Sequence, residues 1–166
     1  CAMAAESYTR LSGRLAAVNV TSGPGGINAL NGVFGAYTDS IPMLVISGQV
    51  RFDTTVQSLG RPMRQLGDQE FPGIIDCART MTKYAMTVTD PLSIRFHLEK
   101  ACALAQGGRP GPVWLDIPMN VQGAMVEEAD VDAFFAAACS SADALREPSP
   151  VIAQQQIAEV VGQCVV

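Results

Sequence analysis

The sequence predicts an α/β fold, a parallel sheet with helices on both faces, and three observations predict it. Short apolar runs recur at Leu15 to Val20, Met43 to Ser47 and Val113 to Ile117, each of a length that suits a buried strand. Longer stretches with helical spacing, Gly26 to Tyr37 and Pro91 to Gln106, lie between them. Strands that alternate with helices are joined by crossovers, and crossovers make neighbouring strands parallel.

Taken in order, Cys1 to Leu11 is rich in small, helix-favouring residues and reads as a helix already under way. The expectation is therefore a domain that lacks its first elements. Leu15 to Val20 is the first strand, and Gly23-Pro24-Gly25-Gly26 turns it directly into the second helix. After the strand at Met43 to Ser47 comes a long loop, then a helix expected at Pro72 to Arg79 and an alternating, β-branched segment, Thr82 to Val88, which reads as a further strand. Asp90 is placed as N-cap and Pro91 as first residue of the best-marked helix. Its apolar face carries Ile94, Leu98, Ala101, Cys102 and Ala105, and Gly107-Gly108 stops it. The strand Pro112-Val-Trp-Leu-Asp-Ile-Pro118 follows at once. Ala124 to Arg146 suits a surface helix, and Pro148-Ser-Pro150 a linker, which divides the chain into a domain at 1–147 and, at 148–166, a linker and the start of another domain.

Composition narrows the function classes. With 166 residues, 48% hydrophobic and 16% charged, the chain can bury roughly 70% of its unfolded surface as a globular domain. A net charge of −5 and the lack of a basic run argue against nucleic acid. No apolar stretch approaches the roughly 20 residues that span a bilayer, so no membrane partner is expected. The five cysteines (Cys1, Cys77, Cys102, Cys139, Cys164) are odd in number and never at CxxC spacing. They read as reduced, small apolar residues of a cytoplasmic protein, with no metal site.

The glycine turn carries the most chemistry. In a parallel sheet the carboxyl ends of the strands open onto a crevice, and glycines let backbone approach a flat or charged ligand. A tight strand-to-helix turn with no ligand explains the same glycines, and physics alone leaves both readings open. Pro24 interrupts any GxGxxG fingerprint and no GxxxxGK[ST] occurs, which disfavours a Rossmann dinucleotide site and a phosphate loop.

Val18-Asn-Val-Thr-Ser-Gly-Pro-Gly-Gly-Ile-Asn28, Asp39-Ser-Ile-Pro-Met-Leu-Val-Ile-Ser-Gly-Gln49 and Gly108-Arg-Pro-Gly-Pro-Val-Trp-Leu-Asp-Ile-Pro118 resemble, in that order, the pyrimidine-binding domain of thiamine diphosphate enzymes, the acetolactate synthase group in particular. The resemblance implies one part of a carboligase or decarboxylase acting on a small-molecule 2-oxo acid, assembled as a homodimer or homotetramer. It also implies thiamine diphosphate as cofactor, with Mg²⁺ and the diphosphate held by a domain absent here. FAD, bound in some relatives through a central domain, is left open. In the family a glutamate activates the aminopyrimidine. By alignment it lies upstream of Cys1, so no catalytic residue is assigned within the chain.

Residue by residue, the resemblance places Pro24 and Gly25 beside the pyrimidine, Asn28 on it from the following helix, and Gln69 in the Gln-Glu pair of the later loop. The substrate pocket is expected to include Gln49, Asp68 and Met119. Asp68 stands where the group has an aromatic and Met119 where it has a lysine, so pocket shape and charge should differ from those of acetolactate synthases. Arg51, Arg61 and Arg64 in the long loop could meet an anionic substrate or be solvated. Glu6 reads as a solvated helix residue and His97 as a surface or packing residue. The rival readings are a non-catalytic module that gives dimer contact and half of a cleft, and an unrelated flavodoxin-like or Rossmann-like domain.

Overall fold

A computed structural model of the chain describes residues 1–61 and 73–140. The elements, in chain order, are α1 (Ala2–Ser12), β1 (Ala16–Val20), α2 (Pro24–Thr38), β2 (Met43–Gln49), α3 (Val56–Leu59), α4 (Ile74–Arg79), β3 (Tyr84–Thr87), α5 (Ile94–Gln106), β4 (Pro112–Pro118), α6 (Met119–Gln122) and α7 (Glu128–Cys139). The four strands are all parallel, in the order β1-β2-β4-β3.

Two core layers follow from strand parity. Met43 and Val45 of β2, Val18 of β1 and Trp114 of β4 face one side, where Ala29, Val33 and Ala36 of α2, Ala2 of α1, and Ile74 and Ala78 of α4 cover them. Leu44, Val113 and Leu115 face the other side, beneath Ala101, Leu104 and Ala105 of α5. Successive side chains of a strand point to opposite faces, so continuous apolar runs such as Met43-Leu-Val-Ile46 are needed where both faces are covered. The strand path explains which helix goes where. From β1 to β2 and from β2 to β3 the chain steps one way across the sheet, with α2 and α4 on the first face. From β3 to β4 it steps back, with α5 on the second, as right-handed crossovers demand.

Several boundaries differ from the sequence expectation. α2 begins at Pro24, not Gly26, because Gly23 at φ 64° takes the N-cap position and Pro24 then suits the first turn. β2 runs on to Gln49, since its pairing with β4 continues to Pro118. β1 begins at Ala16 and β3 spans only Tyr84–Thr87. Pro91–Ser93 forms a 3₁₀ turn ahead of α5, and the Asp90 carboxylate caps it by accepting from Leu92 N–H at 3.0 Å. Within the long loop, a 3₁₀ turn at Phe52–Thr54 and the short α3 were not foreseen. Their signal is local capping, with the Thr55 hydroxyl accepting from Ser58 N–H.

The surface helix α7 buries no residue fully and is held to α5 through Arg95, which pairs with Asp132 and lies 4.5 Å from the Phe135 ring centroid. Among the described residues Cys1, Cys77, Cys102 and Cys139 form no disulfide; Cys1 is exposed and the others are half-buried. Glu6 is a further correction. Rather than standing free in solvent, it is half-buried, accepts from Arg10 at 2.7 Å and lies against Gly35 of α2. The linker and Cys164 lie outside the described residues.

Candidate functional site

Parallel strands bring their carboxyl ends to one edge, and three of the expected regions meet there. β1 ends in the turn to α2, β2 ends at Gln49, and β4 ends at Pro118, paired in register with Gln49 and followed by Met119. Asp68, Gln69 and Arg64 lie outside the described residues.

The glycines of the turn have internal reasons to be glycine. Gly23 has φ 64° with open space where a Cβ would sit, so its backbone alone demands the residue. A Cβ on Gly25 would stand 2.7 Å from Thr21 Cγ2, and one on Gly26 would stand 3.0 Å from the Ile74 side chain and 3.6 Å from Trp114. Gly25 and Gly26 therefore let α2 start close to the sheet. What the turn offers to the outside is Pro24, Ile27 and Asn28, all exposed. A proline ring, an isoleucine and one amide form a mainly apolar ledge with a hydrogen-bonding group, the chemistry that a flat heterocycle with polar edges needs.

Gln49 and Met119 differ in exposure. Met119, 57% exposed, opens α6 beyond the end of β4. Gln49 is buried, and its Nε2 donates to Asp116 Oδ2 at 3.2 Å while its Oε1 accepts from Val50 N–H at 2.9 Å. Sequence reading missed the group that holds it. Asp116 is 2% exposed and also accepts from the Ser47 hydroxyl at 2.5 Å, which in turn accepts from Trp114 Nε1 at 2.9 Å. The available signal was a carboxylate and a hydroxyl inside two otherwise apolar strands, since buried polar groups need partners.

Of the loop arginines, Arg51 is paired with exposed Asp53 at 3.0 Å, an interaction that lowers the aspartate's pKa. Arg61 lines a cavity of about 460 Å³ together with Val56, Asp76, Arg79 and Met86. Pro24, Asn28, Gln49 and Met119 do not line that cavity; the candidate site is the carboxyl edge of the sheet, where parallel sheets take their ligands. His97 packs as expected, half-buried between Tyr84 and Phe96. Among the described residues no group of three His, Cys, Asp or Glu side chains could hold a metal ion, and no helix is long and apolar enough to cross a membrane.

Comparison with known proteins agrees with the fold. Residues 1–71 match the family model of the thiamine pyrophosphate enzyme N-terminal TPP binding domain. The chain is 39% identical over 127 residues to acetolactate synthase 1, chloroplastic, of Oryza sativa subsp. japonica, covering 75% of this chain and 18% of that protein. It is 40% identical over 116 residues to the acetolactate synthase large subunit of Haemophilus influenzae, covering 70% and 19%. Against the large subunit of Lactococcus lactis subsp. lactis the identity is 38% over 124 residues, covering 75% and 20%. The chain thus spans about a fifth of the length of these relatives. The crystal structure of benzoylformate decarboxylase from Polynucleobacter necessarius shares the fold, with a TM-score of 0.65 at 22% identity over 78% of this chain and 23% of that one. These matches support the enzymatic reading over a non-catalytic module.

Proposed function

Since the chain is an N-terminal TPP binding domain of the acetolactate synthase-like thiamine pyrophosphate enzymes, we propose that it forms the pyrimidine side of the cofactor cleft in a 2-oxo acid carboligase or decarboxylase, a transferase or a lyase. The observation that carries this reading is the exposed ledge of Pro24, Ile27 and Asn28 at the carboxyl end of β1. When bound, thiamine diphosphate supplies the electron sink for breaking or making a bond beside a carbonyl.

The chain's own residues bind and orient. Pro24 and Gly25 give the ring a rigid, close-lying backbone, Asn28 offers its amide to a polar ring edge, and Gln69 joins them from the later loop. Met119, with Asp68 and the end of β2 at Gln49, shapes the substrate side. A thioether and a carboxylate there suit a donor or acceptor other than the pyruvate pair of acetolactate synthases. Mg²⁺ and the diphosphate fall to a domain outside 1–147, and 148–166 leads toward the next domain. A homodimer or homotetramer in the cytoplasm completes the proposal.

Calorimetric titration of the intact gene product with thiamine diphosphate and Mg²⁺ tests it. Saturable binding that weakens on Asn28→Ala is expected. Binding of a flavin or nicotinamide nucleotide without thiamine diphosphate would refute it.

A further inference from the structure

Ser47 of β2 and Asp116 of β4 are direct partners in the parallel register. Two residues further along β2, on the same face, stands Gln49, and two residues back along β4 stands Trp114. The four side chains form one directed series of hydrogen bonds. The Trp114 indole can only donate, and does so to the Ser47 hydroxyl, whose single hydrogen goes to Asp116. The Asp116 carboxyl group accepts a hydrogen from the Gln49 amide as well. That leaves the Gln49 carbonyl oxygen for Val50 N–H, where the chain leaves the sheet. Phe52 N–H then donates to Asn120 Oδ1 on α6 at 2.8 Å, which ties the segment after β2 to the segment after β4. Asp116 and Gln49 each have interactions beyond these.

We propose that Asp116 is a positioning residue: through Gln49 it fixes the backbone at Val50, where the chain leaves the carboxyl edge of the sheet. The same series begins at Trp114, against which Gly26 packs at the start of α2. One hydrogen-bonded unit therefore joins the start of α2, at the glycine turn, to the backbone that follows β2. The consequence for the cofactor rests on the function proposed above, while the consequence for the Val50 backbone does not.

Exchanging the two polar groups tests this. Gln49→Glu puts a second carboxylate against Asp116, and Asp116→Asn leaves a buried hydrogen without an acceptor at either Ser47 or Gln49. In the double variant the amide introduced at position 116 would donate to the carboxylate introduced at position 49 and accept from Ser47. The second oxygen of that carboxylate would remain for Val50 N–H, so the hydrogen bonds of this series are restored. Hydrogen exchange of the Val50 amide in the intact gene product should rise roughly tenfold or more in Gln49→Glu and return to within about threefold of the parent in the double variant. Leu104→Ala, on the other sheet face, controls for stability alone and should leave Val50 exchange unchanged under native conditions. If Gln49→Glu does not fold, a folded double variant is the same result. A double variant no better than Gln49→Glu overturns the proposal. Thiamine diphosphate affinity in the same series should follow the Val50 amide, and affinity that ignores it also overturns the positioning role. A parent protein that binds no thiamine diphosphate would refute the function proposed above, and the Val50 exchange would still decide the role of Asp116.

Discussion

The Tyr84 phenol and His97 Nδ1 share a hydrogen bond of 2.7 Å across the seam between β3 and α5. Both rings are partly withdrawn from water, and Lys100 lies 5.4 Å from the Tyr84 ring centroid. Burial lifts the Tyr84 pKa from 10.0 to about 12. Burial first, and the Lys100 charge second, lower that of His97 from 6.5 against the opposing pull of Asp90.

Stability should therefore fall at both ends of the pH range. As pH drops below 6.5 the unfolded chain takes up a proton at His97 before the folded chain does, and the loss continues down through the lowered folded value. Above 10.0 the unfolded chain loses the Tyr84 proton first, and stability declines toward about 12. Denaturant midpoints measured across pH should show the acid slope reduced in His97→Gln and the alkaline slope reduced in Tyr84→Phe. Slopes that both variants leave intact would assign the dependence to other groups.

Gly32 is where α1 and α2 touch. A Cβ there would lie 2.6 Å from Ala2 Cβ and 2.7 Å from the Met3 backbone nitrogen, so the helices must part to admit it. Gly32→Ala should destabilise by about 1–3 kcal/mol, although alanine favours a helix by roughly 1 kcal/mol over glycine. Gly35→Ala meets only the end of the Glu6 side chain, at 3.2 Å, and should be neutral or stabilising. Urea titration of the two variants side by side measures the difference.

Trp114→Phe keeps most of the buried ring and removes the donor to Ser47. A loss of about 0.5–1.5 kcal/mol beyond the repacking cost is expected. A double-mutant cycle with Ser47→Ala isolates it, and additive effects would mean that the bond contributes nothing.

Met119→Lys should shift the preference among 2-oxo acids while leaving thiamine diphosphate affinity close to that of the parent, because Met119 stands exposed beyond the end of β4 and not on the glycine turn. Steady-state kinetics with a panel of 2-oxo acids, alongside cofactor titration, separates the two effects. Lost affinity with unchanged preference would move Met119 to the cofactor side.

Most of the fold was legible because its signals are local. The continuous apolar runs of β2 and β4 announce strands covered on both faces, Pro91 marks a point where the chain turns helical, and the glycines after β1 mark a strand-to-helix turn. Boundaries slipped where tertiary pairing outlasted the local pattern, as at Gly48 and Gln49, which stay in the sheet because β4 continues beside them. At the candidate site, the resemblance proposes Pro24, Asn28 and Gln49; the structure leaves the first two exposed on the turn and directs Gln49 inward to Asp116.

By itself, then, the sequence determined the α/β class, the glycine turn and the family resemblance, since periodicity, capping and motif order are properties of neighbouring residues. Only the tertiary structure decided that Ser47 meets Asp116, 69 residues away, and that this pair takes up the Gln49 amide. The physical reason is register: a hydrogen bond between β2 and β4 depends on which residues lie opposite one another, and a shift of one position would turn each side chain to the other face.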